Sequence, residues 1–223
     1  MSRGHLNIAK LMISKGANNF VESMSYACWG GQMEIIKFLI EKYPNTSFDW
    51  NYSLGSACKG GHIDVIKFLL EKGHSSINEF NEPMGEACEG GHLDIVKFMI
   101  IKGATHWDFG LRCACFGGHL DIVKFMIAKG AKDWNFGMRC AREEGHFQIM
   151  KFLIVESSKH NICLQSQYID EKLANSLSFS ELKQFISLKF LPLIFLKTIR
   201  YKIYVIIQLH SENMFPVLKR FQK

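Results

Sequence analysis

The stretch Gly90–Ile100 reads GGHLDIVKFMI, and Gly117–Ile127 repeats it letter for letter, 27 positions later. Eleven identical residues at a fixed offset mark a duplicated structural unit, so the chain is read by its period before any residue takes a chemical role. Aligning on the residue after the glycines puts His5, Gln32, His62, His92, His119 and His146 in one column, at steps of 27, 30, 30, 27 and 27 residues. Apolar blocks follow each of them, from LNIAKLMI after His5 to FQIMKFLI from Phe147 onward. Five residues before the column stand Ala27, Ala57, Ala87, Ala114 and Ala141, and twelve before it stand Phe20, Trp50, Phe80, Trp107 and Trp134. The first two thirds of the chain is an array.

One unit, residues 105–131, shows what each must form. Leu120, Ile122, Val123, Phe125, Met126 and Ile127 are a dense apolar run broken at Asp121 and Lys124. That density suits a helix buried on more than one side, because the unit offers no second strand to pair with. Asp121 falls in the first turn and Lys129 in the last, each with the sign that the helix dipole favours, and Gly130 follows as a stop. The preceding stretch Asp108–Phe116 supplies a shorter helix with Leu111 and Ala114 facing inward, and Gly117 and Gly118 let the chain reverse. One helical hairpin cannot bury its apolar faces alone, whereas a stack can. The expectation is an all-α solenoid of about six units over residues 1–158, followed by a non-repeat segment, 159–223. The first unit lacks its first helix, which leaves Leu6, Ile8, Leu11 and Met12 short of cover. The phenylalanines of the KFL/KFM column, Phe38, Phe68, Phe98, Phe125 and Phe152, are read as core.

The G-H-L-D-I-V-K-F-M-I block, the K-G-A after it and the alanine-bearing helix before it resemble the ankyrin repeat. The short form A-C-x-G-G-H is most similar to the divergent arrays of large DNA viruses and protists. The resemblance covers residues 1–158 and implies a helical-hairpin solenoid that binds proteins. This chain departs from the family in two ways. The family period is about 33 residues, so steps of 27 and 30 leave the β-turn fingers reduced or absent. The T-P-L-H motif is also missing: only Pro83 keeps its proline, and Ser25, Gly55, Gly85, Arg112 and Arg139 stand where its histidine would. The inter-repeat hydrogen bonds of that motif must be replaced or lost, and the aromatic column is expected to compensate by stacking along the array, with Trp107 contributing to stability.

Charge excludes a uniformly basic nucleic-acid binder. The net charge of +6 comes entirely from residues 159–223, with 10 basic and 4 acidic side chains, while residues 1–158 balance 17 against 17. Seven cysteines is an odd number, and no secretory signal opens the chain. Cys28, Cys58, Cys88 and Cys115 share one column, whose members sit roughly 8–10 Å apart in a helical stack, too far for the ~7 Å limit of a disulfide. They read as reduced core thiols in a cytoplasmic or nuclear compartment. A zinc site needs about four ligands, and each unit offers two at most, His92 with Cys88 for example. Cys113 and Cys115 form only a C-x-C pair. Phosphate-loop, dinucleotide, zincin and nucleophile-elbow motifs are absent. The reading is therefore no catalysis, no cofactor and no metal.

Recognition is expected where columns vary while remaining exposed. Three residues before the anchor stand Trp29, Lys59, Glu89, Phe116 and Glu143. With Tyr26, Glu86, Arg112 and Arg139 on the same first helices, they would line a concave face running from aromatic through acidic to basic and aromatic. Trp29, Phe116 and Arg112 are the expected anchors for another protein. The terminal segment keeps three readings open. A helix over Ser180–Leu191, halted before Pro192, with more helix or a strand near Tyr201–Leu209, could cap the array, or a basic apolar surface could lie on a membrane. The third is an adaptor tail, since Leu191–Pro192 resembles the F-box-like endings of viral ankyrin proteins that recruit a ubiquitin ligase, although the acidic residue expected after the Leu-Pro is missing. No stretch reaches the ~20 apolar residues of a membrane span.

Overall fold

The computed structural model describes residues 2–72 and 79–159, in two compact units, Met1–Ile149 and Met150–Lys223. The readings of 180–191, of 201–209, of Leu191–Pro192 and of the membrane-surface and adaptor tails fall outside the described residues.

The first unit is built of α1 (Ser2–Ser14), α2 (Phe20–Trp29), α3 (Met33–Lys42), α4 (Trp50–Gly60), α5 (Ile63–Lys72), α6 (Asn81–Gly90), α7 (Leu93–Ile101), α8 (Trp107–Gly117), α9 (Leu120–Ala128) and α10 (Trp134–Glu143), and α11 (Phe147–Lys159) starts at its end. Helices α2 with α3, α4 with α5, α6 with α7 and α8 with α9 form hairpins, and α2, α4, α6, α8 and α10 pack in series. Helix α1 packs on α3, and Ile8, Leu11 and Met12 on it remain more than half exposed. No strand occurs among the described residues. Only residues 102–106 and 129–133 separate α7 from α8 and α9 from α10, too few for a projecting finger. In the second unit Met150, Leu153, Ile154 and Ser157 of α11 are buried, and the Ser157 hydroxyl donates to the Ile154 carbonyl at 2.8 Å.

Local chemistry places each helix. Asp49 and Asp133 cap α4 and α10 by accepting from the backbone N–H groups of Tyr52 (2.9 Å) and Phe136 (3.2 Å). Asp64, Asp94 and Asp121 lie in the first turns of α5, α7 and α9, where the dipole favours an anion. The Lys-Gly-Ala ends close on themselves, with Ala104 N–H bonded to Met99 O and Ala131 N–H to Met126 O, both at 3.1 Å. The core between the helix rows holds Ile36, Leu54, Ile66, Met84, Val96, Leu111, Ile122 and Met126, none with measurable exposure.

The Gly-Gly-His motif is the joint between units. His92 Nε2 lies 3.1 Å from Lys59 O, His119 Nε2 2.9 Å from Glu89 O, and His146 Nε2 2.9 Å from Phe116 O. A carbonyl can only accept, so each ring carries its proton on Nε2 and donates. The two glycines make room for that contact. A Cβ built on Gly90 would lie 2.2 Å from the Lys59 carbonyl oxygen, and one on Gly91, whose φ is +83°, would lie 2.4 Å from the His119 ring. Gln32 donates its amide to Gly30 O within its own turn at 3.2 Å instead.

A second ladder runs through a column that the sequence reading passed over. Asn81 Oδ1 accepts from the backbone N–H groups of Thr105 (2.7 Å) and His106 (2.9 Å), one unit further on. Asp108 Oδ1 does the same for Lys132 and Asp133, at 2.5 and 2.9 Å. Together with the histidines, these bonds take the place of those that the missing T-P-L-H motif makes in ordinary repeats.

Two expectations are corrected. The aromatic column does not stack along the array: Phe20 stacks on Tyr43, with centroids 3.8 Å apart, and Trp50 meets Phe48 edge-on at 6.1 Å. Trp134 is buried and donates from Nε1 to Ala131 O at 2.8 Å, while Trp107 is half-buried. One residue per unit at this register places the rings a full repeat apart, and Phe20 and Trp50 meet Tyr43 and Phe48 of the α3–α4 loop rather than one another. The KFL/KFM phenylalanines are half-buried rather than core. Lysines of the preceding unit lie over three of them, Lys10 over Phe38 (5.3 Å), Lys37 over Phe68 (5.7 Å) and Lys97 over Phe125 (5.8 Å). Each such cation–π contact at an exposed site contributes about 0.5–1 kcal/mol.

Two stability tests follow in urea unfolding of the full chain. Gly91→Ala should destabilise more than His119→Ala, which removes one hydrogen bond of about 0.5–1.5 kcal/mol and its ring packing. Equal midpoints for Gly91→Ala and the parent chain would disprove the joint. Trp134→Ala should cost about 3–5 kcal/mol, as for a buried large-to-small change, and Trp107→Ala less; the reverse order would contradict the burial pattern.

Candidate binding face on the first helices

The first helices of the hairpins have two kinds of column. Ala57, Ala87 and Ala114, with Cys58, Cys88 and Cys115 beside them, point into the core with no exposure. Small side chains there let α4, α6 and α8 approach closely. Three residues before each anchor the division runs within one residue. The carbonyls of Lys59, Glu89 and Phe116 accept the histidine of the next unit, while their side chains stay accessible. The joint fixes the backbone and leaves the side chain free to vary.

Tyr26 and Trp29 on α2 are 65% and 56% exposed, a large aromatic surface for a folded helix. With Glu22 and Ser25 of α2, Tyr52, Ser56 and Lys59 of α4, and Glu86 of α6, they line a cleft of ≈ 330 Å³. Tyr52, 64% exposed, is a functional candidate that the sequence reading did not single out. Its signal lay ten residues before the anchor, where Tyr52, Phe109 and Phe136 supply three aromatics on the same helical face as Ser25, Arg112 and Arg139.

The acidic middle of the face is partly offset by Lys59, which both glutamates share. Lys59 Nζ lies 2.7 Å from Glu89 and 3.3 Å from Glu86. Partial burial pulls its ammonium down, and the hydrogen bonds and charges of the two glutamates outweigh this and hold it above its usual value. Further along, the Arg112 guanidinium lies 5.3 Å from the Phe109 ring and 4.6 Å from that of Phe136, and Arg139 lies 3.9 Å from Phe136. Phe109 rests against the bare backbone of Gly85, where a Cβ would lie 2.2 Å from its ring. Glu143 is exposed and 3.9 Å from Arg139 Nε.

The expected anchors do not share one cleft. Trp29 lines the first, whereas Arg112 lines a second of ≈ 360 Å³ with Thr105, His106, Trp107, Asp108 and Phe109. Phe116, 43% exposed, lines neither.

The six described cysteines are free. Burial pushes the Cys28 thiol up to about 12, and burial followed by the Glu86 charge raises Cys58 further. Burial, then the charges of Glu89 and Glu86, takes Cys113 up to about 12, and burial raises Cys115 as well. Among the described residues no three histidine, cysteine or acidic side chains gather as a metal site would require, and no helix is long and apolar enough to cross a membrane.

A family model described as "Ankyrin repeats (3 copies)" matches residues 24–109. No curated protein matches the chain.

Thiol chemistry tests the packing. The folded thiols are raised, so their neutral form is favoured by folding; this stability is complete below the unfolded thiol value of about 8.5. It is lost as pH rises through the folded values, so the unfolding midpoint should fall progressively above about pH 9. Cys28, Cys58, Cys88 and Cys115 should react with a disulfide reagent at pH 8 only after denaturation, and immediate labelling of all four in the native chain would contradict their burial.

Proposed function

We propose that the repeat array, of which residues 24–109 match a model of ankyrin repeats, is a protein-interaction scaffold that binds another protein through the exposed side chains of its first helices, without catalysis of its own. The observation that carries this reading is the division of labour three residues before each anchor. A backbone carbonyl locked by the next histidine presents, in turn, a lysine, a glutamate and a phenylalanine to solvent. Chemically different side chains on an identical, rigid backbone are what recognition requires, and they cost the fold nothing. Exposed Tyr26, Trp29 and Tyr52 around the ≈ 330 Å³ cleft add the aromatic anchors that dominate interface energies. The free cysteines support a reducing compartment, cytoplasmic or nuclear, as its place of action.

The test is affinity purification of the full chain from its native cellular context, beside a variant carrying Tyr26→Ala, Trp29→Ala and Tyr52→Ala. Captured partners should bind the variant at least tenfold more weakly, a loss of about 1.4 kcal/mol or more, while its melting point stays near that of the parent. A partner held equally by both chains would remove recognition from this face.

A further inference from the structure

Among the described residues the two arginines of the face have little that engages their charge: Arg112 has no carboxylate partner and Arg139 only a long contact with Glu143. Lys59 is held by two carboxylates. In contrast, among the described residues no carboxylate lies within 4.0 Å of Arg112, and the one contact of Arg139, to Glu143, is too long at 3.9 Å to be a hydrogen bond. The neighbouring acids are engaged elsewhere: Asp108, in the same cleft as Arg112, accepts the backbone N–H groups of Lys132 and Asp133, and Glu86 and Glu89 hold Lys59.

Phe109 and Phe136 hold the guanidinium groups by their faces. Stacking of this kind leaves the in-plane N–H donors unengaged and removes much of the entropy that a long side chain loses on binding. The two groups lie 4.6 and 3.9 Å from the same Phe136 centroid, which caps their separation at about 8.5 Å. In an extended peptide, side chains two residues apart project from one face about 6.6–6.8 Å apart. A pair of carboxylates at that spacing can meet both guanidinium groups, each as a charge-assisted pair.

We propose that Arg112 and Arg139, braced by Phe109 and Phe136, bind an extended acidic segment of the partner protein through two carboxylates in an acidic-x-acidic pattern. The inference rests on the protein-binding reading above and adds the chemistry of the partner. It makes the basic part of the face the specificity element, while the Tyr26–Trp29–Tyr52 cleft supplies apolar contact.

Selection of phage-displayed random dodecapeptides on the immobilised full chain tests it. The expected result is enrichment of peptides with Asp or Glu at i and i+2. Synthetic versions of these should bind Arg112→Gln and Arg139→Gln at least tenfold more weakly than the parent. The double variant R112E/R139E should instead select peptides with Lys or Arg at that spacing. Should the variants prove unfolded by their melting curves, the composition selected by the parent chain decides alone. Enrichment of neutral or basic peptides on the parent, or acidic peptides that bind the glutamine variants undiminished, overturns the acidic-segment inference and leaves the binding-module reading standing. No enrichment of any peptide overturns both.

Discussion

The hydrogen bond from a histidine Nε2 to a carbonyl of the preceding unit is the constraint on which the array depends. At 2.9–3.1 Å it joins His92 to Lys59, His119 to Glu89 and His146 to Phe116. It satisfies carbonyls near first-helix C-termini that would otherwise lack a partner, and it sets the register of each unit on the last. The glycines are as necessary as the ring, since a Cβ at Gly90 or Gly91 would occupy the space through which the units touch. The Asn81 and Asp108 ladder repeats the strategy at the other end of the first helices, with a side-chain oxygen accepting backbone donors of the following loop. Both polar joints occur at the two junctions that lead to His119 and His146, where the period is 27 residues.

This economy shapes the surface. Because the joints use backbone atoms of Lys59, Glu89 and Phe116, the side chains at those positions take no part in the joint and can change chemistry from unit to unit. The outward columns have accordingly diverged into an aromatic cleft around Tyr26, Trp29 and Tyr52, an internally paired Lys59–Glu86–Glu89 cluster, and the stacked Phe109, Arg112, Phe136 and Arg139. A face built this way recognises by the order of its side chains. The same separation explains how Gly85 serves recognition through absence, by giving Phe109 a bare backbone to rest on.

Much of the fold was legible before any coordinates. The helical hairpins, the short loops, the buried cysteine column and the exposed Ile8, Leu11 and Met12 followed from the period and its apolar pattern, because burial in a repeat array is set by nearest neighbours of nearly identical sequence. The errors arose where contact geometry outweighs composition. The aromatic column was expected to stack on itself, but Phe20 and Trp50 turn toward Tyr43 and Phe48 of the loop between α3 and α4. The KFL/KFM phenylalanines were taken for core because they are apolar, whereas they lie half-exposed beneath lysines of the unit before. The Asn81 and Asp108 column was passed over, since a polar residue in a first turn looks like ordinary surface until the next loop is placed against it.

The sequence by itself determined the repeat, its two helices, the glycine-histidine joint as a recurring element, and which columns vary. These are local or periodic properties, and a one-dimensional pattern suffices to carry them. Only the tertiary structure decided what the joint does, which rings meet which cations, and which variable residues share a cleft. Those depend on distances of a few ångströms between a side chain and the backbone of a residue 24 to 33 positions away, such as Asp108 and Lys132 or His92 and Lys59. A period states that such residues are neighbours, but it takes the packed helices to say which atoms face each other.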